Sequence, residues 1–320
     1  MKQRLTRAMI ALGLAAAATA AGAQQHLFDN EVVLNRIIHR LYDRFGEAPA
    51  AGGTGQATPA ITWHGGPVMG GAPNIHLIWY GDWNQANGSD NAGGQQIIRD
   101  LMWGLSGSNH LSINQSYSAN GTPVSGVLGP VQEASVGYIA GNRAKRLRDS
   151  DILSIVTTYT NSHGGPQSNA IYFVLTSSDV NETSGFCTQY CGWHTKGTIA
   201  GTTVKYSFVG NANRCLNGCA AQSVGPNGNA GVDGMASVLT HELEEALTDP
   251  LLNAWYDANG AENADKCAWT FGGSQQVAGN GASYNVTLPT AGGGFRNYLL
   301  QRNLSATDSK CYVDGVTKQQ

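Results

Sequence analysis

The stretch that most constrains this chain is residues 235–250, MASVLTHELEEALTDP. Val238, Leu239, Leu243, Ala246 and Leu247 recur at helical spacing, so the segment predicts an amphipathic helix that ends at Pro250. Into it the sequence sets His241, Glu242, Glu244 and Glu245. Residues four apart share a helix face, so His241 and Glu245 can point at one ion, with Glu242 beside them to take a proton from water. This is the spacing of the H-E-x-x-H zinc helix with glutamate in place of the second histidine. The plain alternative is a packed helix with a solvated acidic face.

The termini and composition narrow the setting. Lys2, Arg4 and Arg7 precede an apolar run that closes on Ala21-Gly22-Ala23, the pattern of a signal peptide over residues 1–23 cleaved before Gln24. The expected destination is therefore secreted or periplasmic, with no stable membrane association after cleavage. Only 13% of residues are charged and the net charge is −3, which offers no basic field to a nucleic acid. The even set of six cysteines predicts disulfides in such a compartment. Spacing suggests local Cys187–Cys191 and Cys215–Cys219 staples and a longer Cys267–Cys311 loop, with zinc on Cys187, Cys191 and His194 as the rival.

Along the chain, Val33, Ile37, Leu41 and Phe45 predict a helix within residues 24–45, and a Gly/Ala/Pro-rich linker follows over 46–59. Strands are expected at 74–83, 124–128, 152–159, 170–176, 204–209, 283–286 and 296–300, and a helix at 91–105. AIYFVLT at 170–176 is apolar without alternation, as a strand buried on both faces should be. The expected organisation is a signal peptide (1–23), an N-terminal helix and linker (24–60), and one mixed α/β domain (61–320). His64, His76, His110 and His163 are scattered and read as structural. Trp63, Trp79, Trp83, Trp193 and Trp255 suit either the core or a carbohydrate platform.

HGGPVMGG at 64–71, HLIWYGDW at 76–83, GFCTQYCGWH at 185–194, VGNANRCLNGCA at 209–220, PNGNAGVDGM at 226–235 and RNYLLQRNLSATDSKC at 296–311 resemble, in order, the phosphate-induced, EXORDIUM-like family of exported proteins. The resemblance implies fold and export and says little about chemistry. The charged HELEEALTDP helix departs from the apolar helix of plant members and looks like that of bacterial relatives. That helix is similar to a zincin helix, which places it at the centre of a disulfide-stabilised, zincin-like α/β fold.

In thermolysin-like zinc peptidases the third ligand is a glutamate roughly two dozen residues after the first histidine. Glu262 lies 21 positions after His241, and Asp265 lies 24 after it. The expected metal set is thus His241, Glu245 and Glu262, with Asp265 orienting His241 and Glu242 as general base. Tyr256 or His194 would stabilise the oxyanion of a peptide or protein substrate. Asp249, eight residues past His241, is a weaker ligand candidate and suits the turn or loop after the helix that Pro250 ends. Zinc is the expected ion. Calcium in the acidic loop 257–265 (DANGAENAD), on a non-catalytic extracellular or cell-wall module, is the alternative, although the loop lacks EF-hand spacing.

Overall fold

The apolar run at 170–176 forms the middle of a six-stranded sheet in the computed structural model, which describes residues 36–40 and 59–315. The strands are β1 (Arg36–Arg40), β2 (Asn74–Tyr80), β3 (Val131–Val136), β4 (Ala170–Thr176), β5 (Tyr190–Ile199) and β6 (Thr202–Gly210), in the order β1-β5-β6-β4-β2-β3. β4 runs parallel to β2 and β6, and β2 runs parallel to β3. β5 and β6 form an antiparallel hairpin closed by Ala200 and Gly201, both with positive φ, as a two-residue primed turn requires. All seven residues of β4 are buried, which needs cover on both faces.

Helices supply that cover. α1 (Ala92–Leu105) starts at Asn91, whose side chain caps the Gly94 N–H. α2 (Asp149–Ser162) packs against β3, β4 and β6, and α3 (Ala230–Thr248) packs against β5, β6 and α1. Gly192 and Gly197 of β5 have opposite parity and so face opposite sides of the sheet. A Cβ on Gly192 would meet Val238 of α3, and one on Gly197 would meet Leu153 of α2. The two helices therefore lie on opposite faces. The overall class is a mixed α/β protein with three disulfides, and no described helix is long and apolar enough to cross a membrane.

Several expectations change. Residues 152–159 are helical within α2: Ile152, Ile155, Val156 and Tyr159 are all buried at the i, i+3, i+4, i+7 spacing. Their β-branched composition pointed to a strand, but the apolar stripe decided. Residues 124–128 are irregular, and the neighbouring ribbon pairs Ser118–Ala119 with Thr122–Pro123. Within 24–45, where a helix was expected, Arg36–Arg40 is a strand. The expected signal peptide, residues 1–23, and residues 46–58 of the expected linker lie outside the described residues. β5 went unrecognised because its glycines and polar residues hide the alternation. Trp79 and Trp193 are 2% and 1% exposed and belong to the core, whereas Trp63 and Trp255 are cross-strand partners in a separate ribbon, so the five do not share one surface.

The cysteines pair as Cys187–Cys215, Cys191–Cys219 and Cys267–Cys311. The third agrees with the spacing; the two local staples do not form. Cys215 and Cys219 sit four apart around the short helix Leu216–Cys219, which sets both on one side. They meet Cys187 and Cys191 as a two-rung ladder, with Cα–Cα distances of 5.7 and 5.4 Å. Both first-pair sulfurs are consumed, which removes the Cys187–Cys191–His194 zinc alternative.

The entry to β5 also carries a titrating acid. Glu182 is fully buried, accepts hydrogen bonds from Tyr190 Oη and from Ser184 Oγ (2.7 Å), and is raised to about 7 by burial and by Asp149. Folded Glu182 thus keeps a proton that an unfolded chain releases near pH 4.5. Its stabilising effect is complete below that value and is lost as pH rises through about 7. Glu182→Gln removes this titration. The melting-temperature difference, variant minus wild type, should therefore rise between pH 4.5 and 7.5 in paired thermal melts. A flat difference would refute the assignment.

Candidate metal centre

α3 begins at Asn229, whose side chain accepts from the Val232 N–H, and ends at Thr248 before Asp249 and Pro250. Its central residues, 235–248, are all buried, and so the acidic face is not solvated. Val238, Glu242 and Glu245 fall at i, i+4 and i+7 on one face, while Gly192 and His194 fall on one face of β5. The missing side chain at Gly192 admits the helix: a Cβ there would lie 2.8 Å from Val238 Cγ1 and 3.1 Å from Glu242 Oε1. Two residues further along, His194 reaches the carboxylate of Glu245.

Glu245 stands between two imidazoles. Its Oε1 is 3.0 Å from His241 Nε2, and its Oε2 is 3.5 Å from His194 Nε2 without hydrogen-bond geometry. Glu262 Oε2 lies 3.0 Å from His194 Nε2. Asp265 Oδ1 lies 3.6 Å from His241 Nε2, and the Asp265 N–H donates to Glu245 Oε1 at 3.1 Å. The short helix Asp265–Cys267 carries Asp265 and is anchored by the Cys267–Cys311 bridge. Two ligand-like triads result among the described residues, His241–Glu245–Asp265 and His194–Glu245–Glu262.

The expected ligands are thus brought together in a different grouping. Asp265 accompanies His241 and Glu245, on the same ring nitrogen rather than at the far one where an orienting group would sit. Glu262 pairs with His194, which the sequence offered only as an oxyanion donor or a partner of cysteines. The signal that would have found it is parity on β5, two residues from the glycine that admits the helix. Tyr256 is set apart, stacked on His64 at 3.7 Å in the ribbon that pairs Trp255–Tyr256 with Thr62–Trp63. Asp249 serves the turn as expected: its Oδ1 accepts from the N–H groups of Asn253 and Ala254 at 2.6 and 2.7 Å. Glu244 faces away from this set, 3.2 Å from His110 Nε2, while His110 Nδ1 is 2.6 Å from the Val313 carbonyl.

Electrostatics mark the cluster as under strain from charge. Burial would raise Glu245, yet the facing His241 and His194 draw its carboxyl down to about 2. Burial opposes charge on His241, but Glu245 and Asp265 outweigh it and hold the imidazole well above its ordinary value. Glu242 and Glu262 are pushed well above theirs, first by burial and then by Glu245. Both oxygens of Glu242, Oε2 of Glu245, Oε1 of Glu262 and Oδ2 of Asp249 are buried without a hydrogen-bond partner. Buried polar groups ordinarily find partners. Carboxylate lone pairs converging with imidazole nitrogens are the donor set of a divalent cation.

The loop 257–265 spends its first acid internally. Asp257 Oδ1 accepts from the N–H groups of Asn259 and Ala261, and Oδ2 takes Lys266 Nζ at 2.5 Å. Glu262 and Asp265 turn inward to the histidines, so the loop does not gather its oxygens around a centre of its own.

Residues 61–313 match the sequence profile described as phosphate-induced protein 1 conserved region. The chain is 31% identical to EXORDIUM-like 3 of Arabidopsis thaliana over 291 residues, covering 78% of this chain and 82% of that protein. It is 29% identical to PHOSPHATE-INDUCED 1 of Nicotiana tabacum over 293 residues, covering 78% and 87%. No solved structure matches the chain.

Proposed function

The chain belongs to the phosphate-induced protein 1 family, and we propose that it is an exported zinc-dependent hydrolase, acting on peptides, of the bacterial-type branch whose central helix carries H-E-x-x-E in a zincin-like arrangement. The observation that carries this reading is the His241–Glu245–Asp265 triad. Its donor atoms lie within 4.8 Å of one another, and the Asp265 side chain is 22% exposed. A catalytic ion needs protein ligands on one side and access for water on the other. Zinc held there would polarise a substrate carbonyl and make water acidic. Glu242 supplies the base: it neighbours the first ligand, and both its oxygens lack a protein hydrogen bond. Asp265 is positioned twice, by its N–H on Glu245 and by its Oδ2, which accepts the Glu262 N–H at 3.2 Å.

The full burial of His194, Glu245 and Glu262 favours a second reading, a non-catalytic extracellular module in which the cation only holds the fold. One comparison separates the two. Zinc-loaded protein should cleave members of a quenched fluorescent peptide library. Glu242→Gln should keep its zinc and melting temperature while losing roughly 10²–10⁴-fold in rate, the usual contribution of a general base. If wild type binds zinc, cleaves nothing in the library, and loses only thermal stability on chelation, the structural reading replaces the hydrolase.

A further inference from the structure

We propose that the centre holds two divalent cations bridged by Glu245, one at His241–Glu245–Asp265 and a second in the closed triad His194–Glu245–Glu262. The inference rests on the metal-centre reading above and adds to it a site, an occupant and a division of labour. Each triad supplies one imidazole and two carboxylates, and Glu245 is the single shared residue. Its two oxygens are already divided, Oε1 toward His241 and Oε2 toward His194. A carboxylate used in this way spans the roughly 3.5–4 Å between the ions of two-metal sites.

Two further observations point to an occupant in the closed triad. Glu262 is 0% exposed, yet its Oε1 has no hydrogen-bond partner, and neither has Oε2 of Glu245. The orphaned oxygen of Glu245 is the one that faces His194, while Glu262 meets His194 through its other oxygen, Oε2. The charge count agrees. With every acid ionised, Glu242, Glu245, Asp249, Glu262 and Asp265 would carry five negative charges beside two imidazoles that must be neutral to bind metal. One divalent ion would leave three of those charges uncompensated, and two ions would leave one. Asp249 belongs in this sum, because its Oδ2 is buried without a hydrogen-bond partner and its carboxyl acts on Glu262 and His194. A His/Glu/Glu set suits zinc or manganese. Closed to solvent, that ion fixes Glu245 and the β5–α3 distance, and the open triad keeps the access that chemistry needs.

Metal content tests this directly. The full-length mature chain, dialysed against zinc and then metal-free buffer, should carry two equivalents by plasma mass spectrometry. His194→Ala and Glu262→Gln should each keep one, and Asp265→Asn should also keep one. X-ray absorption at the zinc edge of wild type should show a zinc–zinc distance of about 3.5–4 Å, a readout that depends on no variant folding. One equivalent in wild type, with no zinc–zinc scattering, would overturn the second site and leave the hydrolase reading standing. Zero equivalents would overturn both.

Discussion

On the metal-centre reading, replacing Glu245 by alanine should abolish metal binding, and it should lower the melting temperature by about 10 °C. Glu245 is fully buried and makes ion-pair approaches to both His241 and His194. Removing one member of a buried ion pair costs about 3–5 kcal/mol, because its partners keep their desolvation cost. In a protein of this size each kcal/mol is worth roughly 2–4 °C. The pH dependence has a definite sign. The two imidazoles depress the carboxyl to about 2 from an unfolded value of 4.5. In the metal-free protein its contribution is therefore present above pH 4.5 and is lost as pH falls toward 2, so with metal removed the gap between variant and wild type should narrow on acidification. Calorimetry of the metal-free proteins at pH 3 and 7, together with metal analysis of the proteins as purified, measures both effects. Glu245→Ala melting within about 2 °C of wild type at pH 7, or keeping its metal, would show that the carboxylate does not hold the centre together.

The parts of the fold legible in the sequence are those whose pattern is local. β4 declared itself by an unbroken apolar run, α1 by Asn91 and its apolar side, and α3 by its heptad-like spacing and Pro250. α2 was hidden because Ile152, Ile155 and Val156 favour strands intrinsically, and only their spacing reports the helix. The candidate ligands were half legible for a similar reason. His241 and Glu245 are fixed by helix geometry alone, and Glu262 and Asp265 by proximity along the chain. His194 joins them through the register of β5 under α3, set by the glycine at 192 and by disulfides whose partners are 28 residues apart. No local rule assigns a strand face before the strand itself is recognised. Family likeness did not help there, because it reports the scaffold and leaves the charges on α3 without an assigned task.

Removing the two-rung ladder should be the most damaging covalent change, and its cost should be non-additive. Each bridge closes a loop with a sequence separation of 28, worth about 3.6 kcal/mol by the chain-entropy relation. With one bridge in place, however, the other closes only the small ring made by 187–191 and 215–219. The same relation values that ring at about 2.7 kcal/mol. Cys191→Ala with Cys219→Ala should therefore lower the melting temperature by roughly 5–10 °C, and loss of all four cysteines by roughly 13–25 °C. The ladder also bears on the proposed metal centre. Cys191 precedes His194 by three residues on β5, and a Cβ on Gly234 of α3 would lie 2.8 Å from the Cys219 carbonyl oxygen. The bridges thus hold the strand bearing His194 against the helix bearing Glu245. Losing both rungs should weaken zinc affinity as well as stability, whereas losing Cys187–Cys215 alone, the rung farther from His194, should leave zinc bound. Calorimetry and zinc titration of the single-bridge and double-bridge variants decide the point. Equal costs for the first and second rung would refute the small-ring account, and unchanged zinc affinity without either would refute the ladder's part in setting the centre.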